Sequence, residues 1–430
     1  MKTVIMAGGK GSRIAAVRSD IPKPLMPIDG IPVLEREITS LVSQGFDDII
    51  ITVSHLGHKI IDYFGDGSGC SSITRKPFNA KITYFVEDTP LGNAGALFQI
   101  KDQLTDDFLL LNADAVFDID FKRFVHAHYE FGGLVTLFVH GNSHPYDSGL
   151  LITDENNSVL EWLTKEDKRP EWYFNCVNAG LHVVNKQVLE KSIDTSKIDL
   201  DRQILKPLAG KNKMFVYNSP EYVEDMGTPE RYEKVQKACK NGLLNARNLL
   251  NKQKAIFIDR DGTINKYVPF LNSIAEFELI PGVTDAIKKI NESGYLAIVV
   301  TNQPVIARGE LSFSGLSEIH KKMETLLGLE GCYVNDIFVC PHHPDQGFKG
   351  EVESLKIDCN CRKPKPGLLL AAAEKYNIDL TQSWMIGDSR CDIEAGIQAG
   401  CYTAYIGNGN VGQKMTVNSL KDFVDQLIGG

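Results

Sequence analysis

The sequence contains no apolar run of the roughly 18 residues that a membrane-spanning helix needs, so we expect no membrane partner. It also lacks an excess of positive charge. The 46 Lys and Arg residues face 55 Asp and Glu residues, a formal net charge of −9, which argues against nucleic acid as a partner. Residues 1–5 resemble the start of a strand and not a signal peptide. Internal repeats and low-complexity tracts are missing too. These absences favour a cytoplasmic protein that acts on small molecules, and they leave a homo-oligomer open.

The composition is that of an ordinary globular protein with two or three domains. Of the 430 residues, 43% are hydrophobic and 23% are charged, and a chain of this length exceeds one typical domain. The nine cysteines are an odd number, so they cannot all pair as disulfides. For six scattered cysteines we expect free thiols. The other three stand near a histidine, and their spacing is considered below.

Both halves of the sequence alternate short β-branched runs with segments of helical periodicity. This alternation predicts parallel strands with crossover helices, and hence an α/β fold with two doubly wound, Rossmann-like domains. From residue 231 to 253 the sequence is polar and has no strand pattern. We therefore place a first domain at residues 1–238, a linker at 239–253 and a second domain at 254–430. The predicted strands are 3–6, 48–53, 82–86, 108–111, 133–139, 255–258, 296–300, 337–340 and 383–386; helices are predicted at 33–44 and 92–103.

Two aspartates directly follow the apolar run 255–258. Asp259 and Asp261 stand one residue apart, and Gly262 then permits a sharp turn. In a parallel sheet, ligands bind at the carboxyl ends of the strands. Because two carboxylates this close repel each other, the pair favours a site with a divalent cation. One carboxylate can attack phosphorus while the other handles the proton.

Three further motifs each lie at or after the end of a predicted strand. They are Thr301-Asn302-Gln303, Arg362-Lys363-Pro364 and Gly387-Asp388-Ser389-Arg390-Cys391-Asp392. Together with the aspartate pair, they make residues 254 to about 410 resemble the haloacid-dehalogenase superfamily of phosphatases.

This resemblance implies a role for each motif. Asp259 would attack a phosphomonoester to form an aspartyl phosphate, and Asp261 would protonate the leaving alkoxide and then activate water. Thr301 and Asn302 would bind phosphoryl oxygens, and Lys363 would neutralise charge. The Mg²⁺ ligands would be Asp259, Asp261 and Asp388, with Asp392 in support.

A second group of polar residues has the composition of a metal site. Sixteen residues separate His342 from Cys359, and the four predicted ligands are Cys340, His342, Cys359 and Cys361. Three cysteines and one histidine are typical of closed, structural Zn²⁺ sites. His343 is the alternative fourth ligand. Two ligand pairs that pin the ends of a loop would clip it next to Lys363.

The zinc loop makes the second half similar to the D-glycero-D-manno-heptose 1,7-bisphosphate 7-phosphatases and to the related histidinol-phosphate phosphatases. The stretch Ile306-Ala307-Arg308-Gly309 fits the heptose enzymes. By this resemblance, Arg308 and Arg362 would contact the phosphate or the sugar of the substrate.

The first half opens with another phosphate-handling pattern. A predicted strand leads into Gly8-Gly9-Lys10-Gly11-Ser12-Arg13, a loop whose amides and arginine can face a triphosphate. Lys23 stands between two prolines, which would hold it as a fixed point charge. Asp114 comes at the end of an apolar strand, where a Mg²⁺ ligand is expected. The order of these three elements favours a nucleotide site.

Residues 1 to about 235 resemble the nucleoside-diphosphate-sugar pyrophosphorylases, on these elements and on the stretches 90–96, 178–180 and 224–229. The resemblance implies an in-line attack by a sugar 1-phosphate on the α-phosphorus of a nucleoside triphosphate. Phosphates would be bound by Gly8, Gly9, Gly11, Arg13 and Lys23, and Mg²⁺ by Asp114 and Asp225. Gly92 would lie against the base, and the sugar phosphate would contact Gly149, Lys165, Asn178 and Gly180.

The likeness is strongest to guanylyltransferases of mannose or manno-heptose 1-phosphate, so GTP is the expected nucleotide. Our first hypothesis is a bifunctional enzyme that removes the 7-phosphate of a heptose 1,7-bisphosphate and transfers GMP to the heptose 1-phosphate. With GTP, family likeness implies the α-anomer. The alternative is a hexose 1-phosphate nucleotidyltransferase fused to a histidinol-phosphate-type phosphatase. A third hypothesis, in which one half is only a regulatory module, is disfavoured because both sets of candidate residues are present.

Overall fold

The computed structural model describes residues 1–8, 20–89, 91–190 and 197–429. By the contacts among its residues the chain divides into two units. The first comprises Met1–His140, Gly149–Leu163 and Asn178–Asn248, and the second comprises Gly141–Ser148, Thr164–Val177 and the chain from Leu249 onward. The division at residue 248 lies inside the predicted linker 239–253. The segments 141–148 and 164–177, which we call the strap, group with the second unit although the sequence assigns them to the first domain.

The elements of the first unit are β1 (Lys2–Met6), β2 (Pro27–Ile28), β3 (Ile31–Pro32), α1 (Val33–Ser43), β4 (Asp48–Val53), α2 (Gly57–Phe64), β5 (Lys81–Val86), α3 (Gly95–Ile100), β6 (Asp107–Asn112), β7 (Ala115–Asp118), α4 (Phe121–Phe131), β8 (Val135–His140), β9 (Leu150–Thr153), β10 (Val159–Leu163), β11 (Val177–Asn185), β12 (Met214–Asn218), β13 (Tyr222–Asp225), α5 (Pro229–Lys240) and α6 (Leu243–Ala246). Short 3₁₀ or π turns lie between several of them.

Within the described residues, nine strands of the first unit form one sheet, which contains the path β10-β9-β11-β6-β1-β4-β5. Strands β6, β1, β4 and β5 are parallel, as predicted. The prediction of parallel strands also holds for β8 and β12, but it is wrong for β11, which runs antiparallel to β6, and for β10, which runs antiparallel to β9. The sheet is therefore mixed, with its parallel part covered by the apolar faces of α1, α2 and α4.

The elements of the second unit are β14 (Lys254–Ile258), α7 (Val283–Asn291), β15 (Tyr295–Asn302), α8 (Pro304–Ala307), α9 (Phe313–Leu329), β16 (Asp336–Cys340), α10 (Gly367–Tyr376), β17 (Trp384–Gly387), α11 (Arg390–Ala399), β18 (Tyr402–Ile406), β19 (Met415–Val417) and α12 (Leu420–Ile428). The strands form a parallel sheet in the order β16-β15-β14-β17-β18-β19.

The central strand β14 shows why this sheet is covered on both faces. Successive side chains of a strand point to opposite faces. Ile256 and Ile258 pack with α7, α9 and α12, whereas Ala255 and Phe257 pack with α10 and α11. This is the doubly wound arrangement that the sequence predicts, and its ligand edge is the carboxyl edge of the strands.

No helix of the described part of the chain is both long enough and apolar enough to span a membrane.

Candidate active sites

The carboxyl edge of the second sheet collects the polar motifs of the second unit. Strands β14, β15 and β17 are neighbours, with Ile258 paired to both Val299 and Ile386. Asp259, Thr301 and Asp388 lie at or just beyond the ends of these strands. Parallel register therefore brings together residues that are up to 129 positions apart in the sequence.

Lys363 is the cation at the centre of this edge. Its Nζ lies 2.6 Å from Asp259 Oδ1, 2.6 Å from Asp392 Oδ1 and 2.8 Å from the Val300 carbonyl oxygen. Lys363, Asp259 and Asp392 are all buried. Although burial lowers the pKa of Lys363, the two carboxylates raise it overall. Lys363 is thus held as a cation between two anions.

Three carboxylates of this edge could share a metal ion. Oxygen atoms of Asp259, Asp388 and Asp392 lie within 4.8 Å of one another. Burial raises the pKa of Asp259, opposed by Lys363, and burial together with the charge of Asp392 raises the pKa of Asp388 to about 6. Such crowding destabilises the anions, and a divalent cation would relieve it. The donor set of oxygen atoms suits Mg²⁺.

Asp261, the other predicted Mg²⁺ ligand, has its carboxylate outside this group. Arg260 donates to it through Nη2 at 2.8 and 2.9 Å and through Nε at 3.2 Å. Gln303 Nε2 and Asn265 Nδ2 add hydrogen bonds of 2.8 and 3.0 Å. These hydrogen bonds fix the orientation of the Asp261 carboxylate.

The side chains of Thr301 and Asn302 differ in their hydrogen bonds. Thr301 Oγ1 accepts a hydrogen bond from Gln303 Nε2 at 2.9 Å. The Asn302 amide accepts from the Lys363 backbone N–H at 3.1 Å and donates to the Lys363 carbonyl at 3.0 Å. The Asn302 side chain therefore positions Lys363, a role that the sequence motif did not suggest.

The four predicted zinc ligands come together. The sulfur atoms of Cys340, Cys359 and Cys361 lie 3.3–3.6 Å apart, and His342 Nδ1 lies 3.3 Å from Cys361 Sγ and 3.8 Å from Cys340 Sγ. For Zn–S bonds of about 2.3 Å, a tetrahedron has S···S edges of about 3.8 Å, so the sulfur atoms would need to move apart only slightly to admit the ion. The alternative ligand, His343, instead accepts at Nδ1 from the Asp345 N–H.

The two predicted substrate arginines lie near this loop. Arg308 stacks between Phe270 and Phe348, with its Cζ 4.0 and 4.3 Å from the ring centroids. Its Nε is buried without a hydrogen-bond partner. Arg362 donates from Nη1 to the His342 carbonyl at 3.2 Å, so the loop that carries the cysteine–histidine group holds the arginine next to Lys363.

In the first unit, Gly9, Gly11 and Arg13 lie outside the described residues. The structure does place the other predicted charges. Lys23 Nζ lies 2.9 Å from Asp114 Oδ2. The antiparallel pair β7–β13 sets Asp225 opposite Ala115, so the two predicted Mg²⁺ ligands, Asp225 and Asp114, lie at the same end of this strand pair. Asp225 also pairs with Arg231 at 2.5 Å.

Glu37 is an acidic residue near Asp114 that the sequence analysis did not identify. It is 1% exposed, and both carboxylate oxygens are without a hydrogen-bond partner. Burial, and secondly the charge of Asp114, raise its pKa well above the usual range. The helical periodicity of α1 predicts burial at this position but gives no sign of its nearness to Asp114.

Two predicted glycines meet close backbone or side-chain neighbours. Gly92 has a φ of +83°, and a Cβ there would lie 2.3 Å from the Ile198 carbonyl oxygen. Gly180 has a φ of +78°, and a Cβ there would lie 2.5 Å from Asn112 Nδ2. Both positions therefore require glycine for packing, whatever they contribute to ligand binding.

The other residues predicted to contact the sugar phosphate each lie close to neighbouring residues. A Cβ on Gly149 would lie 3.1 Å from Trp162 Nε1. At Gly8, which is predicted to bind phosphate, a Cβ would lie 3.3 Å from Glu87 Oε1. Asn178 Oδ1 accepts hydrogen bonds from the Gly180 N–H and from His182 Nε2. Lys165 belongs to the strap and pairs with Asp147 at 2.7 Å.

Comparison with known proteins supports the family resemblance predicted for each half of the chain. The nucleotidyl transferase family matches residues 2–242, and a HAD-hydrolase-like family matches residues 360–427. The D-glycero-beta-D-manno-heptose-1,7-bisphosphate 7-phosphatase of Escherichia coli K12 is 38% identical over 167 residues, 39% of this chain and 80% of that protein. The chain belongs to both the nucleotidyl transferase and the heptose-bisphosphate phosphatase families.

Two other similar proteins each match one part of this chain. The D-glycero-alpha-D-manno-heptose-1,7-bisphosphate 7-phosphatase of Photorhabdus laumondii is 43% identical over 150 residues, 35% of this chain and 80% of that protein. The crystal structure of HddC from Yersinia pseudotuberculosis is 26% identical with a TM-score of 0.47, and the match covers 55% of this chain and 99% of that chain. The family matches thus place a nucleotidyl transferase and a phosphatase on one polypeptide.

The sequence analysis missed the supports of Asp261 in the phosphatase site. Gln303 stands inside a motif that was noted, and Arg260 stands between the two aspartates, but neither position showed its partner. His320, whose Nε2 lies 3.1 Å from Arg260 Nη1, is 60 residues away in α9. Burial and the Arg260 charge lower its pKa well below the usual range. Only the folded sheet brings α9 to this place.

Gly262 offers a test of the carboxylate group. Its φ is +85°, and a Cβ would lie 1.9 Å from Asp388 Oδ2, so Gly262→Ala should displace Asp388. Because misplacement by 1 Å can cost about 100-fold, we expect phosphate release to fall by about that factor while nucleotidyl transfer persists. Gly294→Ala is the matched control, since nothing lies within 4 Å of a Cβ there. A Gly262→Ala protein with wild-type phosphatase kinetics would contradict the geometry.

Proposed function

We propose that this protein carries out two steps of sugar-nucleotide synthesis. The phosphatase half hydrolyses D-glycero-D-manno-heptose 1,7-bisphosphate at C7 to heptose 1-phosphate and phosphate. The transferase half then combines heptose 1-phosphate with GTP to give GDP-heptose and pyrophosphate. The observation that carries the proposal is the presence of both families on one chain. Removal of the 7-phosphate from a heptose 1,7-bisphosphate, the reaction that the phosphatase relatives are named for, leaves a sugar 1-phosphate, the kind of acceptor that the transferase half is proposed to use.

The phosphatase chemistry follows from the contacts at the sheet edge. A carboxylate oxygen of Asp259 attacks phosphorus, the P–O bond to C7 breaks, and Asp261 gives its proton to the leaving oxygen. Water then attacks the aspartyl phosphate and passes a proton to Asp261, which frees phosphate and restores Asp259. Lys363 accompanies Asp259 throughout as its counter-ion.

Mg²⁺ fits the carboxylates of both halves. In the phosphatase we propose Asp259 and Asp388 as its carboxylate ligands, with Asp392 supporting Lys363, and in the transferase Asp114 and Asp225. When bound, the ion would neutralise phosphate charge. The carboxylate of Asp261, held by Arg260 and Gln303, is left for proton transfer, and so is not proposed as a ligand.

In the transferase we propose that alignment and charge neutralisation supply most of the catalysis. Lys23, 9% exposed at its side chain, is a buried cation whose ammonium reaches Asp114. Arg13, Gly9 and Gly11 are proposed to surround the triphosphate. GTP as the donor and the α-anomer as the acceptor rest on family likeness.

One coupled assay tests the whole proposal. Heptose 1,7-bisphosphate, GTP and Mg²⁺ should yield GDP-heptose with one phosphate and one pyrophosphate per turnover, measured by chromatography and by phosphate release. Parallel reactions with mannose 1-phosphate and with histidinol phosphate test the alternative substrates. Failure to form GDP-heptose by a folded protein that accepts those alternatives would overturn the heptose proposal.

Single substitutions should separate the two activities. Asp259→Asn should abolish phosphate release, at least 1000-fold, because an amide is a poor nucleophile, and should spare pyrophosphate release. Lys23→Ala should do the reverse, because it removes a buried phosphate ligand. Phosphate release by Asp259→Asn near the wild-type rate would remove Asp259 from the nucleophile role. Loss of both activities in either variant would contradict the assignment of the sites to separate units.

The group of Cys340, His342, Cys359 and Cys361 is proposed to bind structural Zn²⁺. One zinc per chain should copurify and resist mild chelation, as measured by elemental analysis. Cys359→Ser should lower the zinc content and weaken phosphatase activity, because a hydroxyl does not readily ionise, while nucleotidyl transfer should survive. Cys401→Ser, at a buried thiol outside the group, should keep its zinc. Wild-type protein without zinc after growth in ample zinc would refute the site.

A further inference from the structure

Arg260 is a buried cation whose guanidinium donates hydrogen bonds to two residues, Asp261 and His320. Its side chain is fully buried. Nε and Nη2 donate to the carboxylate of Asp261, and Nη1 lies 3.1 Å from His320 Nε2. A guanidinium has no acceptor, so His320 Nε2 must accept this hydrogen bond. His320 is therefore neutral, with its proton on Nδ1, which agrees with the lowered pKa that burial and Arg260 impose.

The position of His320 fixes the direction of the Arg260 fork. His320 is 5% exposed, and it lies in α9 beside Ile319 and Met323, which belong to the apolar core under the sheet. A side chain packed in this way moves little. Because the guanidinium is rigid and planar, an acceptor on Nη1 determines where Nε and Nη2 point, and these two atoms hold Asp261.

We infer that His320 is a positioning residue of the phosphatase, which acts through Arg260 to hold Asp261 in line with the leaving oxygen. The inference rests on the proposed role of Asp261 as the proton donor. His320 touches neither substrate nor metal ligand in this assignment. Its effect should therefore appear only where the reaction needs a proton from Asp261.

The leaving group distinguishes this role from a general structural one. An alkyl phosphate needs a proton on its departing oxygen, whereas p-nitrophenolate departs without one. The value of kcat/KM reports only the steps up to formation of the aspartyl phosphate, so it excludes the later hydrolysis that all substrates share. The ratio of kcat/KM for an alkyl ester to that for p-nitrophenyl phosphate is also independent of the fraction of active protein.

The test compares His320→Leu with His320→Gln in the full-length Mg²⁺-loaded protein. Leucine removes the acceptor, and the ratio should fall at least tenfold, within the range that proton transfer contributes. Glutamine offers Oε1 to Arg260 Nη1 and should restore the ratio to within about threefold of wild type, since it replaces a single hydrogen bond. Arg260→Lys, which cannot form the fork, should behave as the leucine variant and serves if that variant is insoluble.

The outcomes distinguish a failure of this inference from an error in the proposed substrate. The alkyl ester is whichever of heptose 1,7-bisphosphate and histidinol phosphate the wild type hydrolyses, so a wrong substrate is recognised before any variant is read. An unchanged ratio in His320→Leu and Arg260→Lys, or an equal loss on both esters, would overturn the positioning role. A lowered ratio that glutamine does not restore would overturn it as well, because the hydrogen bond would then not be its cause.

Discussion

The phosphatase half depends on how several carboxylates are kept close together at the end of a buried strand. Asp259, Asp388 and Asp392 lie within 4.8 Å of one another, and a buried charge is stable only when it is paired. The positive charge that pairs with them is Lys363, which contacts two of the three carboxylates. Other features of the unit place this lysine. Asn302 holds its backbone by two hydrogen bonds, and Cys361, two residues before it, lies against His342, Cys340 and Cys359.

The transferase half solves a related problem near its surface. Its predicted metal ligands meet through a short antiparallel pair, and Lys23 reaches Asp114 from a separate turn. The buried Glu37 adds a third acid that stays protonated more readily than an exposed one. Here the pairing of charge with charge is partly exposed, since the Asp114 side chain is 51% exposed.

The sequence predicted the catalytic edge well because parallel strands end together. Asp259, Thr301 and Asp388 each follow a β-branched or apolar run, so the sheet topology alone makes them neighbours. Hydrophobic periodicity could not predict that β9, β10 and β11 would be antiparallel, since buried strands of either direction share the same pattern. The contact between Arg260 and His320 could not be predicted from the sequence for another reason. Their hydrogen bond joins a strand end to a helix sixty residues later, and no local rule connects the two.

The strap shows that the order of residues along the chain and the grouping of residues in space need not agree. Thr325 Oγ1 in α9 accepts from the Tyr173 N–H and donates to the Tyr173 carbonyl, and Glu324 accepts from the Asn175 N–H at 2.7 Å. Pro145 packs on Gly328, where a Cβ would come within 2.6 Å of its ring.

A gene cut at the linker would therefore yield a transferase fragment that carries the strap without the helix on which it is folded. The backbone groups of Tyr173 and Asn175 would then have to find water or new partners, and an exposed segment with unpaired N–H groups invites association with other chains. Separation of the two halves at the linker would thus cost the strap the side chains of α9 that satisfy its backbone.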